Sequence, residues 1–535
     1  MFLGIKLLQL LLIFNTLLFN IFFNDGIRAG YVSSSQKNID ILQYYLKLDL
    51  NWGKKLITGE TKILAHKLIS DQKNIDLHFY GNMIVKKVSS DSAVLKFHHI
   101  KNILSIDVSE INRDTIEFTI QYYGTPKKSG FNGFVFGEIN NIPLIYNLSE
   151  PNYTPSWFPC DDDPEDKALF DIEITNDTSF VSVSNGRLVN VENKGEKRTY
   201  HWKSNYPIST YLIAVYSSKY ISFTQTYKSI SGKELPLEFY VLPDHLEEAK
   251  KDFAEHKEML EAFENLFGEY PFADDKYGVA EFLWNYGAME TQTITGIGYN
   301  LVSGKNFARD ILAHELAHHW WGNAVGPKIW KDIWLNEGFA SYSEALFLEY
   351  KFGDASLQSA MRGKFSEYFR GSLYNPVNLF SETVYDKGAW VLHMLRNEIG
   401  DSNFFGSLKK YYEVFKYTNA STEDFKSICE SVSNQNLDKF FDDWVYNDKG
   451  IIRCNYSLSD DKTILIAQSN EEFNDFHFNL ELKIIYSDGS TEFKTFRVEN
   501  SKVKFNLNSV KRIKEVIPDP NGKLLAIFNE EGHQQ

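Results

Sequence analysis

The spacing of apolar residues changes twice along this chain, and these changes limit what it can fold into. From about residue 40 to 220, apolar and polar residues alternate, as at Leu46, Leu48 and Leu50, and turn residues separate the runs. Alternation is the pattern of strands with one buried face. The first part of the chain therefore predicts an antiparallel all-β domain.

A helical spacing replaces the alternation after Pro243-Asp244 and continues to about residue 448. Gly268 ends the first helical run, and a short β stretch, Tyr277 to Thr291, interrupts the helices. After Gly450 the alternation returns, with Ser487-Asp488-Gly489 as a hairpin turn. This last part resembles a small β-sandwich.

The 535 residues exceed what one hydrophobic core organises, so we expect a multidomain α+β protein. The predicted boundaries are 1–30 for an N-terminal segment, 31–218 for the all-β domain, 219–449 for the mainly helical domain and 450–535 for the β-sandwich-like domain.

The N-terminal segment has the order of a Sec signal peptide. Lys6 precedes an apolar run from Leu7 to Phe23, and the small residues Ala29-Gly30 follow. The competing interpretation is an uncleaved membrane anchor, since the run is close to spanning length. We expect an exported protein, periplasmic or secreted, that is associated with a membrane only if this segment stays uncleaved.

The net charge and the cysteine content limit which binding partners, thiol metal sites and disulfide bridges the sequence predicts. The net charge of -15, without a basic cluster, does not predict nucleic-acid binding. The acidity serves either solubility or attraction of cationic substrates, and both interpretations stay open. Cys160, Cys429 and Cys454 are scattered and form no thiol zinc motif, while one bridge between Cys429 and Cys454 stays open.

The stretch ILAHELAHHWWG carries the first chemical signal. His314 and His318 are four residues apart, so on a helix their imidazoles share one face and can reach one metal ion. Glu315 then lies beside the metal, in the position of a general base. His319 is rotated by about 100° from His318, and we expect it to point elsewhere.

This short motif also arises by chance, so it does not establish a zinc site by itself. A zinc hydrolase also needs a third protein ligand. Glu337 follows His318 after 18 intervening residues and has apolar neighbours. A buried glutamate without a partner is costly, and metal ligation removes that cost. Glu344, two turns further along, either holds a ligand histidine or is a solvated helix residue.

The 18-residue spacing followed by NEGFASY resembles the aminopeptidase N family, the family M1 metallopeptidases. Thermolysin-type endopeptidases have one more residue in this gap. The resemblance, over about residues 40 to 450, implies a thermolysin-like gluzincin domain at 219–449. It also implies one zinc ion per chain, held by His314, His318 and Glu337.

The family's GxMEN motif corresponds to GAMET, Gly287 to Thr291. The resemblance implies that Glu290 binds the substrate α-amine, and a carboxylate suits an ammonium group. Gly287, Ala288 and Met289 would lie against the substrate, and Tyr286 matches a position of the first side-chain pocket. Thr291 replaces the family's asparagine, which puts its local hydrogen bonds in question.

Two further strings extend the resemblance. Glu150, before the string WFPC, matches the family's second amine-binding position, while Leu148 stands where relatives often have glutamine. In SETVYDKGAWVLHMLR, Tyr385 matches the catalytic tyrosine, which would donate a hydrogen bond to the oxyanion. Lys387 and Gly388 are interpreted as structural.

Together these matches predict a monomeric, zinc-dependent aminopeptidase that acts on peptides with a free N-terminus, with Glu315 as the base and Tyr385 on the oxyanion. The alternatives are a bifunctional leukotriene-hydrolase-like epoxide hydrolase, a thermolysin-like endopeptidase and a non-catalytic peptide-binding protein on the same scaffold.

Overall fold

The structure is a computed structural model that describes residues 36–91, 93–129, 132–284, 287–459, 462–469 and 475–531. The predicted signal segment, residues 1–30, and Tyr286 lie outside the described residues. The described chain divides into an N-terminal unit, residues 36–330 with 415–420, and a C-terminal unit, residues 331–414 with 421–531.

Strands dominate the first two hundred residues of the N-terminal unit. They are β1 Ile39–Asn51, β2 Leu56–Lys67, β3 Asn74–His78, β4 Met83–Ser90, β5 Ala93–Val94, β6 Phe97–Ile100, β7 Ile103–Asp107, β8 Thr115–Gly124, β9 Lys128–Ser129, β10 Asn132–Ile139, β11 Ile142–Leu148, β12 Leu169–Asp177, β13 Val181–Ser184, β14 Arg187–Lys194, β15 Lys197–Lys203 and β16 Val215–Ser218. As the alternation predicts, Leu46, Leu48 and Leu50 are all buried on one face of β1.

These strands form sheets with the orders β14-β15-β12-β1-β2-β8-β4-β5, β13-β16-β11-β10-β9 and β3-β7-β6. Most neighbours are antiparallel, but β1 and β12 are parallel, with Gln43 opposite Leu169. The purely antiparallel expectation is wrong at this pair. More than a hundred residues separate the two strands, which leaves room for the crossover that parallel pairing needs.

The rest of the N-terminal unit carries the histidine motif. Its strands are β17 Ile221–Lys228, β18 Glu234–Val241, β19 Tyr277–Phe282, β20 Ala288–Met289, β21 Thr295–Gly298, β22 Val325–Pro327 and β23 Thr418–Ala420. The first five form a sheet with the order β17-β18-β19-β21-β20, which places β20 at an edge. The helices are α1 Leu246–Asp252, α2 His256–Phe267 and α3 Arg309–Ala317.

Helices open the C-terminal unit, as the sequence predicts. They are α4 Trp334–Phe352, α5 Asp354–Gly363, α6 Gly388–Ile399, α7 Asp401–Phe415, α8 Thr422–Ser433 and α9 Asp438–Phe441. Two π-helical segments, Thr383–Lys387 and Asp442–Tyr446, adjoin α6 and α9. Such segments often occur at functional sites.

Strands close the C-terminal unit. They are β24 Ile452–Leu458, β25 Thr463–Gln468, β26 Phe478–Tyr486, β27 Thr491–Val498, β28 Lys502–Asn506, β29 Ile513–Pro518 and β30 Ala526–Glu530, in sheets with the orders β28-β25-β24-β30 and β27-β26-β29. The predicted hairpin turn joins β26 to β27, with Gly489 at a φ of 84°.

The predicted fold class is confirmed: a β-rich N-terminal part, a helical region and C-terminal strands follow one another. The domain boundaries stay a prediction. Cys429 and Cys454 are free and buried, so they do not pair. Within the part of the chain that the structure describes, no helix has the length and apolar character that crossing a bilayer requires.

Candidate functional site

Hydrogen bonds from one aspartate fix the loop that leads into the histidine helix, α3. Asp252, at the end of α1, is buried and accepts from the backbone N–H groups of Ser303, Gly304 and Asn306, at 2.7, 2.8 and 2.7 Å. Charge-assisted bonds of this kind are stronger than neutral ones. The loop before α3 is therefore held by a carboxylate that no sequence pattern identifies.

Within α3 and the turn after it, His314 and His318 lie face to edge, with ring centroids 4.6 Å apart. Each offers a ring nitrogen, and the two nitrogens lie within 4.8 Å of one another. The Nδ1 of His318 donates to the backbone oxygen of Trp321 at 3.0 Å, which leaves Nε2 as the ligand atom. The pair therefore fits a metal ion that prefers imidazole nitrogen.

Glu315 follows His314 on α3 and is buried. Burial raises the pKa of the Tyr216 phenol, and the nearby carboxylates Glu290 and Glu315 raise it further. Glu290 and Glu315 are both buried in the N-terminal unit, so each carboxylate lies in poorly solvated surroundings near Tyr216. This arrangement suits a proton acceptor beside a site for a cation.

The two predicted amine-binding residues lie together in the N-terminal unit. Glu150 and Glu290 are both buried, and their carboxylate oxygens lie within 4.8 Å of one another. Like charges this close favour a cation between them. A substrate ammonium is such a cation, and it can donate hydrogen bonds to both carboxylates.

The GAMET segment lies on the edge strand β20, where Ala288 pairs with Ile297 and Met289 with Gly296. Met289 is buried and Ala288 is partly exposed. A Cβ at Gly287 would lie 2.3 Å from the indole of Trp284. Glycine at this position is therefore required by the packing of Trp284, in addition to any approach of substrate.

Thr291, which stands where the family has asparagine, keeps its hydroxyl hydrogen-bonded. The Thr291 hydroxyl donates to the backbone oxygen of Ile294 and lies 3.1 Å from the hydroxyl of Tyr216. The departure at this position thus leaves no buried hydroxyl unsatisfied. Leu148, the other departure, is a buried residue of β11.

His319 points away from the metal-binding pair, as predicted. Its Nδ1 donates to the backbone oxygen of Glu315 at 3.1 Å, and its Nε2 accepts from the backbone N–H of Thr293 at 3.0 Å. Burial lowers the pKa of His319 to about 3, so the ring is neutral. Both ring nitrogens are used in bonds to the backbone.

The other predicted ligand and the tyrosine belong to the C-terminal unit. Glu337 is a buried residue of α4, and the next residue, Gly338, approaches Gly388 at the start of α6. A Cβ on Gly388 would lie 2.8 Å from the Cα of Gly338, and the reverse distance is 3.0 Å. The two helices therefore pack backbone against backbone beside Glu337.

Tyr385 lies in the π-helical segment that precedes α6, and it is partly exposed. Two residues later, the fully buried Lys387 donates to the backbone oxygens of Gly371 and Lys449, at 3.0 and 2.7 Å. Burial lowers the pKa of Lys387 to about 8. Lys387 therefore anchors the segment that carries Tyr385, and its predicted structural role is confirmed.

Glu344 forms an ion pair in the C-terminal unit. Its carboxylate accepts from Lys364 at 2.7 Å, and Lys364 also lies 3.3 Å from Asp386. The two carboxylates raise the pKa of Lys364 despite its burial. Glu344 thus belongs to a charge network next to the Tyr385 segment, and the interpretation as a freely solvated residue is wrong.

Several supporting residues had no signal in the sequence. Lys167 donates to the backbone oxygens of Asn323 and Ala324, at 2.8 and 3.0 Å, and the Asn323 side chain donates to the backbone oxygen of Glu290 at 2.7 Å. These residues lie far apart in sequence. Their roles become visible only when the fold brings them together.

Two sequence models of one peptidase family match the chain. The Peptidase family M1 domain matches residues 252–444, and the Peptidase M1 N-terminal domain matches residues 41–212. The glutamyl aminopeptidase of Bitis rhinoceros is 30% identical over 346 residues, which are 59% of this chain and 35% of that protein. The probable aminopeptidase 2 of Sulfurisphaera tokodaii is 26% identical over 77% of this chain and 54% of its own length.

Solved structures share the fold. The aminopeptidase A of Legionella pneumophila in complex with aspartic acid superposes with a TM-score of 0.80 at 20% identity, covering 94% of this chain and 60% of that one. An M1 zinc metallopeptidase mutant from Deinococcus radiodurans gives a TM-score of 0.67 at 23% identity, covering 77% and 96%. The chain spans about a third to a half of the length of the two curated relatives named above.

Proposed function

Because the chain belongs to peptidase family M1, we propose that it is a zinc-dependent aminopeptidase that removes the first residue from peptides with a free α-amine. The observation that carries this proposal is the buried pair Glu150 and Glu290 in the same unit as His314, Glu315 and His318. The unit thereby combines groups that can hold an ammonium with groups that can hold a metal ion and accept a proton.

The proposed ligands of the zinc ion are His314, His318 and Glu337. The spacing of the two imidazole nitrogens, the Nδ1 bond of His318 and the burial of Glu337 support this ligand set, together with the 18-residue interval in the sequence. When bound, zinc supplies a Lewis acid for the scissile carbonyl.

The side chains supply the remaining steps. Glu315 takes the proton of the attacking water and passes it to the leaving amine. Tyr385 donates a hydrogen bond to the oxyanion that develops on the carbonyl. Glu290 and Glu150 hold the ammonium, so that the first peptide bond is the one presented for cleavage.

The proposal is tested with aminoacyl 4-nitroanilides and their N-acetylated counterparts. The free-amine substrates should be cleaved and the acetylated ones should not, because acetylation removes the charge that the two carboxylates bind. A chelator should abolish the activity and added zinc should restore it. Equal cleavage of the acetylated substrates would exclude an exopeptidase.

A variant of the base separates the roles of metal binding and proton transfer. Glu315→Gln should retain zinc but lose turnover by a factor on the order of 10² to 10⁴, since the amide cannot accept the proton. Zinc content by atomic absorption is the control. A fully active, zinc-loaded Glu315→Gln protein would remove Glu315 from this role.

The location of the protein is a separate proposal: residues 1–30 direct export to the periplasm or the medium, and the mature chain is a monomer. The charged start, apolar run and small residues of this segment support the export proposal. N-terminal sequencing of the exported protein should find a start close to residue 31, and sedimentation should give the mass of one chain. An intact N-terminus in the membrane fraction would favour an anchor instead.

A further inference from the structure

The turn that follows the second histidine carries two side chains that reach the same neighbouring segment. This turn, residues 318–323, begins with His318, and the backbone N–H of Asn323 donates back to the oxygen of His318 at 3.0 Å. His319 and Asn323 are both fully buried. They are therefore fixed relative to the imidazole of His318.

The segment they reach is Glu290 to Thr293, which begins with the proposed amine-binding carboxylate. Asn323 holds the start of this segment, because its Nδ2 donates to the backbone oxygen of Glu290 at 2.7 Å. His319 holds the end, because its Nε2 accepts from the backbone N–H of Thr293 at 3.0 Å. Both contacts are made to buried backbone groups, for which a lost bond is costly.

Thr293, whose backbone N–H donates to His319, has an unusual backbone conformation. Thr293 has a φ of 67°, a region that residues other than glycine seldom adopt. Its hydroxyl accepts from the backbone N–H of Gly186 at 2.8 Å, so the hydroxyl and the amide are both held. The segment after Glu290 therefore keeps this shape through bonds to its surroundings.

We infer that His319 and Asn323 are positioning residues that set the distance between the metal-binding helix and the carboxylate of Glu290, and thereby the preference for a free N-terminus. The inference rests on the proposed aminopeptidase function. A peptidase cleaves the first bond only if its amine-binding group stands one residue away from the nucleophile. Here two hydrogen bonds from the turn after His318 fix that interval.

Two substitutions of His319 separate its hydrogen bond with Thr293 from its hydrogen bond with Glu315. The amide oxygen of glutamine reaches the place of the imidazole Nε2, so His319→Gln keeps an acceptor for the Thr293 N–H. The shorter asparagine reaches only the place of Nδ1, so His319→Asn keeps the donor to the Glu315 oxygen and loses the grip on Thr293. The two variants are matched, since each retains one of the two bonds.

The measurement compares kcat/KM for two substrates. One is an aminoacyl 4-nitroanilide with a free α-amine, and the other is its analogue with hydrogen in place of that amine. The ratio of the first value to the second measures the preference for a free amine. We expect this ratio to fall by roughly tenfold in His319→Asn, through a higher KM for the free-amine substrate, and to stay near the wild-type value in His319→Gln. Zinc content should be unchanged in both variants, and thermal unfolding reports any general loss of stability.

A double mutant excludes an indirect effect of stability. If His319 acts through Glu290, adding His319→Asn to Glu290→Gln should leave the ratio where Glu290→Gln alone puts it. Independent, additive losses would overturn the inference. So would a folded, zinc-loaded His319→Asn protein with the wild-type ratio. Asn323→Ala, which releases the other end of the segment, should lower the ratio in the same way.

Hydrogen exchange gives a readout that does not depend on activity. The amide of Thr293 should exchange faster in His319→Asn than in the wild type and in His319→Gln, as judged by mass spectrometry of peptides spanning residues 290–294. Unchanged exchange would overturn the proposed grip. A wild-type protein without preference for a free amine, but with the expected exchange pattern, would instead show that the proposed function fails while the contact exists.

Discussion

The surroundings of Glu290 in the N-terminal unit and those of Glu337 in the C-terminal unit are held by different physical means. In the N-terminal unit, the buried side chain of Asp252 binds the loop before α3, and that of Asn323 binds the backbone of Glu290, both through hydrogen bonds. Beside Glu337, the backbones of Gly338 and Gly388 touch directly, with no side chain between them. The first arrangement is a polar frame and the second is a steric contact.

The difference has consequences for how each region responds to change. A hydrogen bond can lengthen, change partner or be replaced in part by water, so its loss is graded. A contact between two backbones at van der Waals distance leaves no room for one additional carbon. We therefore expect graded losses of stability from variants of Asp252 and Asn323, and an abrupt loss from a variant at the contact of Gly338 with Gly388.

The largest effect is expected from Gly388→Ala. Its new Cβ would lie 2.8 Å from the Cα of Gly338, so α4 and α6 must move apart. The free energy of unfolding should fall by about 3 kcal/mol, as in other overpacked cores. Turnover should fall as well, because Glu337 precedes one glycine and Tyr385 lies three residues before the other. Urea unfolding and kcat provide the measurements.

Gly406→Ala is the matched control for this substitution. Gly406 lies within α7 of the same unit, and a Cβ there would lie 3.5 Å from Val432, at an ordinary van der Waals distance. Alanine in a helix interior should leave stability unchanged or raise it by up to about 1 kcal/mol. If Gly388→Ala changes the free energy of unfolding no more than Gly406→Ala does, the contact of Gly388 with Gly338 does not limit stability.

An intermediate effect is expected at Asp252 in the N-terminal unit. Asp252→Ala removes the acceptor of three backbone N–H groups in the loop before α3 and should lower the free energy of unfolding by about 2 kcal/mol. Asp252→Asn retains one acceptor oxygen and should lose about half as much. Equal losses in both variants would contradict a graded polar frame.

The sequence predicted those features that depend on local spacing. Alternation identified the buried face of β1, and the interval of four residues placed His314 and His318 side by side. Both follow from the geometry of a strand or a helix alone. The position of Glu290 came from a family motif, and its buried neighbour Glu150 came from a second motif.

The polar frame could not be predicted in this way. Asp252 binds a loop about fifty residues further along, and Lys167 binds the backbone of Asn323, which lies 156 positions away. A local sequence pattern cannot predict such partners, because they come into contact only through tertiary packing. For the same reason, the angle of His319 on the helix predicted that it points away from the metal site but did not predict its hydrogen bond with Thr293.

The smallest effect concerns the pH dependence of stability and a buried carboxyl group elsewhere in the N-terminal unit. Asp162 lies in the loop that leads to Lys167, and burial raises its pKa from the ordinary 3.8 to about 7, while a hydrogen bond from Thr210 opposes the rise. In the folded chain the carboxyl group therefore keeps its proton at pH values where the unfolded chain has lost it. The stability that this proton provides is complete below about pH 4 and is lost as the pH rises through 7.

Asp162→Asn tests this assignment, since the amide keeps an acceptor for Thr210 and cannot ionise. Between pH 6 and 8, the wild-type free energy of unfolding should fall by about 1 kcal/mol more than that of the variant. Urea unfolding at several pH values measures the difference between the two slopes, which cancels the contribution of other titrating groups. Parallel slopes would mean that Asp162 is ionised in the folded chain, and its surroundings, Thr210 among them, would then have to stabilise a buried negative charge.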